Sequence, residues 1–94
     1  MEDKVTKEKI SKYKDMTTSA LEIAKKSIIK GKEKESYEIV SMVSNYLADS
    51  EYFESQGDLV SAFAALNYAH GWLDAGVRLD IFNVKDDSLF TVKD

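Results

Sequence analysis

Four polar residues on one predicted helix are the only ones whose types and spacing suggest chemistry: Asn67, His70, Asp74 and Arg78. They follow one another at intervals of three, four and four, so they form one stripe on a helix. His70 is the only histidine. Its imidazole could act as a base or a ligand, and Asp74, one turn on, could orient the ring. Asp74 and Arg78 are spaced to pair along the helix. On this reading the stripe lines a polar pocket of an enzyme or a small-ligand binder. A structural reading competes with it. His70 also falls on the apolar ridge between Leu66 and Leu73, where a histidine at the edge of a core would bond Asp74, Asn67 or a backbone carbonyl. That position favours the structural role.

Metal chemistry has little support. Helical di-iron sites place Glu three residues before His, and Asn67 occupies that position. Glu51 and Glu54 could add oxygen ligands, but nothing in their spacing singles them out. The absence of cysteine removes disulfides, thiolate sites and Cys nucleophiles. No metal and no cofactor is expected. The run Gly71-Trp72-Leu73-Asp74-Ala75-Gly76 has the two-glycine spacing of a phosphate loop, but Val77 and Arg78 replace the required Lys and Ser/Thr and no strand precedes it. Gly71 and Gly76 are better explained as places where another helix comes close.

The element that must position these residues is a long helix predicted over 58–83. Gly57 can end a preceding helix in a left-handed conformation, and Asp58 can cap the backbone N–H of Val60 or Ser61. Leu59, Phe63, Leu66, His70, Leu73, Val77 and Ile81 form one apolar ridge. The opposite side carries Ala65, Tyr68, Trp72, Leu79 and Phe82 where polar residues would be normal. A helix apolar on two sides must bury both, so Tyr68, Trp72, Leu79 and Phe82 are the predicted interface. The stretch Val77–Ile81 alternates as a strand would; Val77 and Ile81 extend the ridge, which favours helix to about Asn83.

This half of the chain resembles a short archaeal protein family, the one catalogued as domain of unknown function 357. The resemblance rests on Tyr52-Phe53, Gly57-Asp58, Ala62-Phe63-Ala64-Ala65, the run Asn67 to Gly76, and Arg78-Leu79. The Lys-rich first half matches in general character only. The resemblance implies a small, all-helical archaeal protein and carries no activity with it.

Two further helices are predicted. Over 3–30, Ile10, Tyr13, Thr17, Ala20, Leu21, Ala24 and Ile28 share one side with Met16 beside them, and Gly31 ends the run. Over 36–56, Ile39, Met42, Val43, Tyr46, Leu47 and Phe53 form the cleanest amphipathic stripe of the chain, with Val40 at its margin. Short connections force neighbours to run antiparallel. The expected fold is all-α, a single domain over 1–94, built as an up-down-up antiparallel bundle with a short C-terminal tail. Leu89-Phe90-Thr91-Val92 is the apolar part of that tail, expected to dock on the bundle or on a second chain.

At 94 residues the core is modest. The lack of proline suits uninterrupted helices. Net charge is −4, which argues against nucleic acid, where a basic face supplies most of the affinity. No apolar run approaches the roughly 20 residues of a membrane span, and the N-terminal residues show no apolar signal-peptide core. The composition fits a cytoplasmic protein. The resulting expectation is a non-enzymatic interaction module, a homodimer or a binder of another protein, without nucleic-acid or membrane partners.

Overall fold

The computed structural model describes residues 4–85 and 87–90. Among these, three helices follow in order: α1 (Lys7–Lys25), α2 (Glu33–Ser55) and α3 (Leu59–Arg78). Thr6 caps α1, its hydroxyl accepting from the Lys9 N–H at 3.1 Å. The start of α2 has no side-chain cap; Glu33 and Glu35 in its first turn oppose the helix dipole instead.

The connection between α2 and α3 is the predicted one. Gly57 has φ 77°. Its N–H donates to Glu54 O at 3.0 Å, and the Asp58 N–H donates to Phe53 O at 2.9 Å. This pair of bonds closes a Schellman motif, whose left-handed residue glycine adopts without strain. Asp58 then caps α3, its carboxylate accepting from the Ser61 N–H at 3.0 Å. The Ser61 hydroxyl, and after it the Ser61 backbone N–H, donate to this carboxylate and hold it below the ordinary value of 3.8.

Both outer helices stop earlier than predicted. At α3 the same motif recurs without glycine: Asp80 takes φ 60°, the Asp80 N–H donates to Val77 O at 3.2 Å and the Ile81 N–H to Gly76 O at 2.8 Å. Residues 79–83 are therefore not helical. Continued as a helix, Phe82 would face outward; folded back, it is 2% exposed. At α1 the helix ends at Lys25, and residues 27–29 run extended beside 81–83. Ile28 and Phe82 form an antiparallel bridge, flanked by Ile29 N–H to Ile81 O at 2.9 Å and Asn83 N–H to Ser27 O at 2.7 Å. Ile28 is thus outside α1 and exposed.

The helices pack up-down-up. Ser50 meets Ala62 and Tyr46 meets Tyr68, so α2 and α3 run antiparallel. Tyr13 meets Phe63 and Thr17 meets His70, so α1 and α3 run parallel. The contact of α3 is most extensive with α2 and next with α1, while α1 and α2 barely touch. The larger core cluster joins Ala20, Leu21 and Ala24 of α1, Ile39 and Val43 of α2, and Ala69, Leu73 and Val77 of α3, closed by Ile81, Phe82, Val84 and Phe90. A smaller one holds Ile10, Ala62 and Leu66. Ala65, expected on the outer side of α3, is buried. Ser36 and Ser50 are buried too; Ser50 donates to Ala62 O at 3.0 Å across the α2–α3 seam.

Candidate functional site

His70 sits half-buried where α1, α3 and the tail meet. Its Nε2 lies 2.6 Å from Leu89 O. A carbonyl only accepts, so Nε2 carries a proton and donates. In the neutral ring Nδ1 is then the acceptor, and the Thr17 hydroxyl, 3.1 Å away, donates to it. Thr17 is 1% exposed. The Phe90 ring packs nearby, its centroid 6.4 Å from that of the imidazole. Both ring nitrogens are committed inside the chain, so the imidazole holds three segments together and has no nitrogen left for a substrate proton. A backbone carbonyl was one of the expected partners of His70; the Thr17 hydroxyl was not foreseen, because only the fold brings residue 17 to residue 70.

Beside His70 a crevice of about 270 Å³ opens between α1 and α3, lined by Tyr13, Met16 and Thr17 on one wall and Asn67, His70 and Asp74 on the other. Three of the four predicted polar residues meet there. Arg78 is exposed beyond its end and does not line it. Asn67 stands exposed at the rim and Asp74 is half-buried. Among the described residues, no three His, Asp or Glu side chains come close enough to hold a metal ion. Also among them, no helix is long and apolar enough to cross a membrane.

The tail docks on the His70 side, with Phe90 4% exposed. Thr91 and Val92 lie outside the described residues. On the far side of α3, Tyr68 is 63%, Trp72 38% and Leu79 65% exposed. Phe82, predicted to belong to that side, lies inside the core. Its ring occupies the space above Gly76: a Cβ there would stand 2.5 Å from Phe82 Cε2 and 3.1 Å from Ile39 Cδ1. Gly76 is thus a place of close approach, chiefly by an aromatic ring. A Cβ on Gly71, by contrast, would meet nothing within 4 Å. Gly71 instead lies in an open depression of about 340 Å³ bordered by Asn67, Tyr68, Trp72 and Ala75. The Tyr68 ring is backed by Tyr46 of α2, stacked at 5.5 Å and 19°.

The exposed positions of α3 before its last turn, where Arg78 stands, share one property that spacing alone did not bring out. Val60, Ala64, Asn67, Tyr68, Gly71, Trp72 and Ala75 are all exposed, and no Asp, Glu, Lys or Arg lies between Asp58 and Asp74. The exposed sides of the other helices carry charges throughout, Lys7, Lys12, Asp15, Glu22 and Lys25 on α1 and Glu35, Glu38, Asp49 and Glu51 on α2, although α2 also exposes Tyr37 and Tyr52.

No curated protein and no solved structure matches the chain. A family model matches residues 12–82, from within α1 to the residue that bridges Ile28, and so reaches well into the half whose resemblance was only general. The chain belongs to the family described as protein of unknown function (DUF357).

Proposed function

We propose that this protein is a non-enzymatic interaction module that associates with itself through the outer face of α3. The supporting observation is the uncharged, exposed strip from Val60 to Ala75, continued by Leu79. Scattered apolar residues on a surface need no explanation. A contiguous strip bearing Tyr68 and Trp72 has the composition of a contact surface; the exposed Tyr37 and Tyr52 of α2 stand among charged neighbours instead. Between Val60 and Leu79 the strip runs about 28 Å and is about 10 Å wide. That is on the order of 300 Å² per copy in projection, and more in accessible area. It is small against the roughly 1,200–2,000 Å² of stable complexes, so the association proposed is weak and reversible.

The rival reading places a small ligand in the α1–α3 crevice. In its favour, Asn67, His70 and Asp74 do converge there. Against it, His70 is engaged at both nitrogens within the chain. Sedimentation across a micromolar concentration series tests the preferred reading. A weight-average mass that rises with concentration, and stays monomeric for Trp72→Ala at unchanged helix content, supports it. A parent chain that remains monomeric throughout refutes it.

A further inference from the structure

We infer that the partner copy lies antiparallel along α3, related by a two-fold axis level with the peptide between Ala69 and His70, and that Tyr68 of each copy fills the depression over Gly71 of the other. This rests on the self-association proposed above and specifies its geometry.

Tyr68, Gly71, Trp72 and Ala75 stand at i, i+3, i+4 and i+7 of α3. Four residues so placed form the diamond that receives one side chain of a facing helix. Here the centre of the diamond is open: Gly71 offers no side chain and nothing lies within 4 Å of its Cβ position, which leaves a shallow depression between Tyr68, Trp72 and Ala75. The depression is bordered by two aromatic rings, a methyl and a glycine, which suits a large, flat, apolar knob. Tyr68 is such a side chain, is 63% exposed, and lies on the same strip.

A two-fold that sets Tyr68 into the diamond of the other copy must stand midway between residue 68 and the diamond's centre, between the levels of residues 69 and 70. The small residues give the same level independently. Ala64 and Ala75 lie nearest the centre line of the exposed strip, at about 100° per residue, and are equally far in sequence from that midpoint. The two-fold therefore sets Ala64 of each copy against Ala75 of the other, where nothing bulkier than a methyl keeps the helices apart. Close approach at both ends of the Tyr68 contact allows the roughly 8 Å axial separation of the tightest helix pairs.

Charge disfavours the parallel alternative. Antiparallel helices place the C-terminal turn bearing Arg78 toward the partner's N-terminal turn, which Asp58 caps. A parallel pair would set Arg78 beside Arg78 and align the two helix dipoles. The face is thus complementary to itself in size, order and end charge, which is what an isologous two-fold contact requires.

Cysteine cross-linking tests the register, because the chain has no cysteine of its own. Ala64 and Ala75 are exposed, so Ala64→Cys and Ala75→Cys should both fold, as circular dichroism would verify. Mixed in equal amounts and mildly oxidised, the two variants should form a covalent heterodimer. Each alone should form little, because like positions would lie about 16 Å apart along the axis, far beyond the roughly 4–7 Å between Cα atoms that a disulfide spans. Gly71→Leu, which fills the diamond, should weaken association at least tenfold with helix content unchanged. If the parent sediments as a dimer but Ala64→Cys alone cross-links as readily as the mixture, or Gly71→Leu associates as the parent does, the antiparallel register is wrong and self-association stands. If the parent is monomeric at every concentration, both the self-association and its register fall.

Discussion

Phe82 lies over Gly76, and a single Cβ on that glycine would stand 2.5 Å from the phenyl ring. The contact decides how α3 ends. The chain leaves the helix after Arg78, turns through Asp80 and returns its next aromatic residue onto the turn it has just left.

Gly76→Ala should therefore destabilise the fold although alanine is the better helix former. The ring and Ile39 must move to admit the methyl, and overpacking of this kind costs about 1–3 kcal/mol. Gly71→Ala provides the control on the same helix. It meets nothing within 4 Å and should gain up to about 1 kcal/mol of helix propensity. Urea unfolding at protein concentrations too low for association should show opposite signs for the two variants. Equal effects would mean that Phe82 does not pack as described.

His70→Leu tests the junction of three segments. It keeps an apolar side chain on the ridge but removes both bonds, leaving the Leu89 carbonyl and the buried Thr17 hydroxyl without their imidazole partners. Loss of partners for buried polar groups costs about 1–3 kcal/mol. The more specific readout is hydrogen exchange. Amides of residues 87–90 should exchange faster in the variant, while those at the α2–α3 seam change less. A tail that stays equally protected would show that the His70–Leu89 bond does not anchor it.

Asp58 supplies a pH dependence. Its carboxyl is held below 3.8 by the bonds from Ser61, so the folded state favours the ionised form. A depressed folded value adds stability that is fully present above the unfolded value and lost as pH falls through the folded one. Asp58→Asn keeps a good cap but cannot ionise. The parent should melt higher than Asp58→Asn at neutral pH, and the gap should close in the acid range below 3.8. A gap that persists unchanged to the lowest pH would place the advantage elsewhere.

The legible parts of this fold were the ones set by local chemistry. Gly57 and Asp58 carry the turn between α2 and α3 in their own backbone and side-chain properties, and the apolar ridge of α3 through Leu66, Leu73 and Val77 turns inward as its spacing requires, while Ala65, read on the opposite side, is buried as well. The end of α3 was not legible for a matching reason. Asp80 takes the left-handed position usually signalled by glycine, and the gain that stabilises it, burial of Phe82 against Gly76 and Ile39, comes from residues that meet only in the folded chain. The shortened α1 follows from the same event, because Ile28 pairs with Phe82 once the chain has turned. At the crevice, helical spacing placed Asn67, His70 and Asp74 on one stripe, and they share one wall. The partners of His70 lie at Thr17 and Leu89, far away in sequence, and no periodicity within α3 could name them.

Trp72 gives the most direct optical test of the outer face, because it is the only tryptophan in the chain and is 38% exposed. It borders the depression over Gly71, so a facing helix seated there must cover part of the indole. Apolar cover excludes water and shifts indole emission to shorter wavelength, and the same cover slows collisional quenching by a neutral quencher such as acrylamide. Dilution from high to low micromolar concentration should therefore shift the emission to longer wavelength and steepen the quenching plot, along the same curve as the mass from sedimentation. Tyr68→Ala should show the dilute-limit spectrum at every concentration, because it removes the side chain proposed to seat the partner while leaving Trp72 in place. Emission that does not depend on concentration, in a chain that sediments as a dimer, would place the contact on a different surface.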